Sequence, residues 1–100
     1  MIIIRNVFQI EPSGMKDAIE IVKEGAKFSS RALPGSRRIA TDLTGDFYTL
    51  ILEMGYNSFA EFEAEFQAVA SDAEWKQWYD KLRKYVRGGR REIFNVVATV

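Results

Sequence analysis

The chain has 100 residues, with 14 basic and 14 acidic side chains and neither His nor Cys. The length fits one domain over residues 1–100, and 47% hydrophobic residues is too high a fraction for a disordered chain. The absence of Cys excludes disulfides, thiolate nucleophiles and Cys-based metal sites. The absence of His removes the commonest general base and transition-metal ligand, so we expect no metal site and no cofactor.

Charge and hydropathy also limit the partners. A balanced charge argues against nucleic acid as a partner. No apolar run approaches the roughly 18–20 residues of a membrane span. The chain opens Met-Ile-Ile-Ile, without the basic segment of a secretory signal. We therefore expect a cytoplasmic protein that binds neither nucleic acid nor membrane.

The first half of the chain predicts a strand, a helix and a hairpin. Residues 2–10 are β-branched and aromatic, and Asn6 is the one polar residue on an otherwise apolar face of this strand. Apolar residues at helical spacing follow from Met15, and Pro34-Gly35 ends that helix. Strands over 36–44 and 47–54 then flank a tight turn at Gly45-Asp46.

The second half predicts a broken helix and a last strand. Ser58-x-x-Glu61 and Ser71-x-x-Glu74 are capping boxes, each opening a helical pattern. The first helix carries a stripe assigned to the core, namely Phe59, Phe62 and Phe66. The second helix runs to Val86 and is closed by Gly88-Gly89. Residues 93–98 form the final strand.

The order β-α-β-β-α-β predicts an α+β, ferredoxin-like fold, with a four-stranded antiparallel sheet and helices on one face. Strands 2–10 and 47–54 carry large apolar residues at both alternations. A face of that kind left in water would be an exposed patch of the size that marks an interface. We therefore expect a homodimer formed through the open sheet face.

Two segments carry a resemblance to a known family. The last helix opens Ser71-Asp72-Ala73-Glu74-Trp75, and Glu11-Pro12-Ser13-Gly14 links the first strand to its helix. With the element order, these segments resemble the dimeric α+β barrel superfamily, and within it NIPSNAP-like and antibiotic-biosynthesis-monooxygenase-like proteins. The resemblance implies two subunits joined sheet to sheet and a cavity between sheet and helices.

In monooxygenase members a first-strand Asn and a Trp line that cavity, commonly with a His. The resemblance therefore implies a site role for Asn6 and for Trp75 or Trp78. The missing His argues against haem degradation. The candidate ligand-binding residues are hydrogen-bond donors near the predicted cavity: Asn6, Tyr48, Trp75, Trp78 and Tyr79. Ordinary core packing is the alternative for each of them.

Three functions stay open at this point. The first is binding of a small apolar or aromatic ligand between sheet and helices. The alternative is a cofactor-independent monooxygenase acting on an aromatic or polyketide-like substrate, and the third is a structural dimer with a filled core. Six bases at 81–91, with Arg37 and Arg38, form either an anion site or a solvated helix end, and we favour the solvated end. Glu61, Glu63 and Glu65 are expected on the solvated surface.

Overall fold

Strand β1 (Ile2–Ile10) is an inner strand of a four-stranded antiparallel sheet in the computed structural model, which describes residues 1–100. The other strands are β2 (Arg38–Thr41), β3 (Thr49–Tyr56) and β4 (Val86–Asn95), in the order β2-β3-β1-β4. The helices are α1 (Met15–Glu24), α2 (Phe59–Ala70) and α3 (Ala73–Arg83). The predicted ferredoxin-like α+β fold is confirmed. None of the helices combines the length and the hydropathy of a membrane span.

The register of β1 decides which side chains face the helices. Asn6 pairs with Leu52 on β3 and with Arg91 on β4. Because side chains alternate along a strand and stay aligned across it, these three residues share one face. The same face holds Ile4 and Leu50, which are fully buried.

The core under the helices has two parts. One joins Ile10 and Leu50 to buried residues of α1 and to Leu82 of α3. The other joins Ile4 and Tyr56 to Phe62 of α2 and to the segment after α1. Leu52 packs against both parts, so the middle of the sheet lies where the two parts meet.

The opposite sheet face is less apolar than the sequence suggested. All three large residues of β3 at alternate positions, Leu50, Leu52 and Met54, face the helices. On the open face, Arg5 forms ion pairs with Glu53 and Glu92 across the strands. The expectation that β3 is apolar on both faces is therefore wrong in part. Apolar side chains remain on both sides of these ion pairs: Ile3, Val7, Ile51 and Phe94.

The helix ends differ from the predicted ones in two places. α1 ends at Glu24 and passes into a 3₁₀ turn (Gly25–Phe28), well before Pro34.

One of the two predicted helix caps is confirmed. The Ser58 side chain accepts a hydrogen bond from the Glu61 amide, as the capping box predicts. α3 is capped by Asp72, whose carboxylate accepts from the Glu74 amide at 2.8 Å, and not by Ser71. Asp is as good a cap as Ser, and it lies one residue nearer the helix.

The last strand begins seven residues earlier than the sequence suggested, and residues after Asn95 carry no strand. Gly88 and Gly89 lie within β4 instead of closing α3, which ends at Arg83. A Cβ on Gly89 would lie 2.5 Å from the Val7 carbonyl oxygen, so the strands approach closely there. Gly89 therefore allows β4 to pair closely with β1 beside the register shift at Gln9–Ile10, and it does not terminate a helix.

The hairpin connection is also longer than predicted. β2 ends at Thr41 and β3 begins at Thr49, so seven residues replace the two-residue turn. Gly45 has a φ of 106°, the positive value that the turn prediction required. Tyr48 has a φ of 59°, and Phe47 is 82% exposed, so neither belongs to the strand.

Candidate ligand-binding cavity

A cavity of about 400 Å³ opens between the sheet and the helices, where the two parts of the core meet. Asn6, Leu52 and Met54 form its floor on the sheet side. α2 and α3 supply an aromatic wall, and the turn after α1 supplies Phe28. Its volume falls within the range of about 300–1,000 Å³ found for small-molecule sites. The interior is therefore not filled.

The aromatic wall is a continuous series of ring contacts. Phe62 lies 6.0 Å from Phe66, and Phe66 meets Trp75 edge to face at 6.4 Å between centroids. Trp75 stacks on Tyr79, with centroids 5.1 Å apart and planes inclined by 5°. Of the stripe assigned to the core, only Phe62 is buried; Phe66 is 38% exposed and lines the cavity, and Phe59 is 49% exposed. The core assignment was therefore wrong for two of three residues.

The two tryptophans are held differently. The indole N–H of Trp78 donates a 2.6 Å hydrogen bond to the Ile21 carbonyl in the last turn of α1. Its ring also packs against Phe28 at 5.6 Å. Trp78 therefore ties α3 to α1, and its donor is already used. Trp75 makes ring contacts only, and its N–H donates to no acceptor within the chain.

The polar floor of the cavity is a contact between Asn6 and Arg91. Arg91 Nε donates a 2.8 Å hydrogen bond to Asn6 Oδ1 across the β1–β4 pair. Because Nε can only donate, the oxygen end of the amide must face Arg91 and the nitrogen end must face away. No buried side-chain nitrogen or oxygen lacks a partner. The Asn6 nitrogen, which makes no hydrogen bond within the chain, therefore has access to the cavity.

Arg91 lies at the outer edge of this polar floor. It is on an edge strand and exposed as a residue, but its guanidinium lies 5.4 Å and 5.1 Å from the ring centroids of Phe62 and Phe66. Partial removal from water lowers the pKa of Arg91, and the neighbouring Tyr79 and Tyr56 oppose that change. Assignment of the 81–91 run to a solvated helix end is thus wrong for Arg91, which belongs to β4 and lines the cavity.

A buried carboxylate also lines the cavity. Glu65 on α2 is 6% exposed and accepts a 2.5 Å hydrogen bond from the Tyr56 hydroxyl. Its other oxygen accepts from the Arg31 amide at 2.7 Å and from the Ser30 hydroxyl at 3.2 Å. Burial and this hydrogen bond raise the pKa of Tyr56 well above its ordinary value. The expectation that Glu65 is solvated is therefore wrong.

Four of the five candidate residues line one cavity: Asn6, Trp75, Trp78 and Tyr79. Tyr48 does not, since it lies before β3 with its ring against Phe47. Sequence reasoning missed Glu65, Arg37 and Arg91 as cavity residues. The sequence did contain a signal that Glu65 is buried. Glu65 lies three residues after Phe62, on the same helix face as the apolar series Phe62, Phe66 and Val69.

Comparison with known proteins gives the fold class. No family model matches the sequence, and no curated protein is similar to it. A NIPSNAP domain protein from Burkholderia xenovorans superposes with a TM-score of 0.86 at 14% identity, over 100% of this chain and 98% of that one. A NIPSNAP family protein from Agrobacterium tumefaciens gives 0.80 at 18% identity, over 94% and 90%.

A Nitrosomonas europaea protein assigned to the antibiotic biosynthesis monooxygenases gives a TM-score of 0.72 at 13% identity, over 98% of this chain and 100% of that one. These superpositions establish a shared fold. At such low sequence identity they give no information about activity. The chain therefore has the fold of NIPSNAP and antibiotic biosynthesis monooxygenase domains, which confirms the resemblance seen in the sequence.

Proposed function

We propose that this protein binds a small aromatic ligand in the cavity between sheet and helices. The observation that carries this proposal is an unfilled volume of about 400 Å³ with an aromatic wall and an available amide at its floor. A filled interior would have left only a structural role. A few placed polar groups in a mostly apolar hollow are typical of small-molecule sites.

The two tryptophans report on binding directly. Trp75 and Trp78 are the only tryptophans of the chain, and both line the cavity. We expect saturable quenching of their fluorescence by bicyclic and tricyclic aromatics, tested as a panel of neutral and acidic members. Ala26→Phe places a ring at the rim and should abolish quenching, whereas Ala64→Phe, exposed on α2 outside the cavity, should not. A panel with no saturable member at millimolar concentration contradicts the proposal.

The alternative is a cofactor-independent monooxygenase acting on an aromatic or polyketide-like substrate. The Asn6 amide and the Arg91 guanidinium support it, because donors in a water-poor hollow stabilise a phenolate or enolate. Such an anion can reduce dioxygen itself: a ring CH₂ becomes C=O, and the second oxygen atom leaves as water. We expect oxygen uptake with anthrone that Asn6→Ala abolishes and Tyr48→Phe preserves. Uptake that is unaltered in Asn6→Ala excludes this route.

We further propose a homodimer formed through the open sheet face. Ile3, Ile51 and Phe94 leave apolar surface there, beside the ion pairs of Arg5. Light scattering should give about 23 kDa, twice the 11.5 kDa of one chain, and Phe94→Arg should give one chain. A single-chain mass for the unaltered protein at micromolar concentration contradicts it. The cytoplasmic location stays a prediction.

A further inference from the structure

The arginines of this chain fall into two groups, those that form an ion pair and those that line the cavity without one. There are eight, and six of them form ion pairs with a carboxylate: Arg5, Arg31, Arg38, Arg83, Arg87 and Arg90. The two without such a partner are Arg37 and Arg91, and both line the cavity. Lys16, Lys76 and Lys84 also lack an ion pair but lie outside the cavity, so the two arginines are its only cations without a carboxylate partner.

Arg91 is also oriented for a ligand. Its Nε is fixed by Asn6 Oδ1 at 2.8 Å, and its plane rests over Phe62 and Phe66. These contacts leave the two terminal nitrogens as a free planar fork, the geometry that binds a carboxylate through two parallel hydrogen bonds. The Asn6 amide nitrogen adds a donor on the same floor.

Arg37 adds positive potential from the opposite side. Its guanidinium donates to the Ser29 hydroxyl at 2.8 Å and to the Ser29 carbonyl, so it is held without a neutralising carboxylate. The one carboxylate of the cavity, Glu65, is occupied by the Tyr56, Ser30 and Arg31 donors. Lys23, the remaining charged lining residue, is paired with Glu20.

We propose that the ligand of this cavity is a planar aromatic acid, whose ring lies against the aromatic wall and whose carboxylate binds the free fork of Arg91. This inference rests on the proposed ligand-binding function and narrows it to an anionic class. A neutral ring of the same size fills the same hollow but leaves the donors of Arg91 and Asn6 without an acceptor.

The test compares 2-naphthoate with 2-naphthamide, which differ in charge and hardly in shape, by calorimetry on the full chain. We expect 2-naphthoate to bind at least about tenfold more tightly, as charge-assisted bidentate hydrogen bonds imply. Arg91→Gln should remove this preference, because it weakens the binding of 2-naphthoate by a larger factor than that of 2-naphthamide. Arg90→Gln is the matched control, because it removes the same charge from the adjacent residue on the opposite face of β4.

A second variant guards against loss of folding in Arg91→Gln. Asn6→Asp keeps Arg91 but gives it a carboxylate within hydrogen-bond reach, so the preference for the acid should also disappear. Equal binding of the two probes to the unaltered protein, or a preserved preference in either variant, overturns the anionic class and leaves the aromatic site standing. No binding of either probe overturns both proposals.

Discussion

The Tyr56 hydroxyl donates a 2.5 Å hydrogen bond to Oε1 of Glu65, and both residues are buried. Tyr56 is the last residue of β3 and Glu65 lies in the middle of α2. This contact therefore fixes α2 to the end of β3, beside the cavity. The second oxygen of Glu65 holds the segment after α1 through the Ser30 hydroxyl and the Arg31 amide. One carboxylate therefore joins three parts of the chain.

Replacement of this carboxylate should lower stability strongly. Glu65→Ala leaves a buried tyrosine hydroxyl and a backbone amide without an acceptor, and each such group costs about 1–3 kcal/mol. We expect the free energy of unfolding in urea to fall by about 2–4 kcal/mol. Glu63→Ala is the control on the same helix, since that side chain is exposed and forms no ion pair. Equal losses in the two variants would show that the Glu65 contacts contribute nothing.

The Tyr56 hydroxyl should also make stability depend on alkaline pH. Its pKa in the folded state is raised, by burial first and by Glu65 second, so the unfolded chain loses this proton at lower pH than the folded chain. The contribution is therefore complete below pH about 10, the ordinary tyrosine pKa, and declines above it by at most about 1.4 kcal/mol per pH unit. Urea unfolding at pH 9 and 11 measures the loss.

Two tyrosine variants separate this group from general alkaline effects. Tyr56→Phe should be less stable at pH 9, because it leaves one Glu65 oxygen without its donor, but should lose less on going to pH 11. Tyr48→Phe removes an exposed hydroxyl and should keep the full alkaline loss. A Tyr56→Phe protein with the same alkaline loss as the unaltered chain would exclude Tyr56 as its source.

How far the sequence predicts this protein depends on whether a feature is local. β1 and the Ser58 cap were predicted because alternation and capping are set by neighbouring residues. The partners of Glu65 and Arg91 were not, because burial of a charge depends on residues distant in the chain; Asn6 and Arg91 are 85 positions apart. The extent of β4 was missed for the same reason, since only its pairing with β1 shows why Gly89 lies in a strand.

The two glycines of β4 should respond differently to the same substitution. A Cβ at Gly89 would meet the Val7 carbonyl oxygen at 2.5 Å, and this backbone cannot withdraw without breaking the sheet. Gly89→Ala should therefore lose about 1–3 kcal/mol of unfolding free energy, as overpacking does. Gly88 has open space around it, so Gly88→Ala should be neutral or slightly stabilising. Equal effects would mean that the close strand approach is absent in solution.

The two tryptophans should separate stability from ligand binding. Trp78→Phe removes the hydrogen bond to the Ile21 carbonyl and the packing on Phe28, so unfolding free energy should fall by about 1–3 kcal/mol. Trp75→Ala removes the ring that stacks on Tyr79 and covers Phe66, so binding of 2-naphthoate should weaken by about tenfold or more at a smaller cost in stability. Calorimetry and urea unfolding on both variants give the comparison. The contrast is expected because Trp78 contacts α1 through its nitrogen, whereas Trp75 has only ring neighbours. If Trp75→Ala binds 2-naphthoate as tightly as the unaltered protein, the ligand does not lie against the aromatic wall.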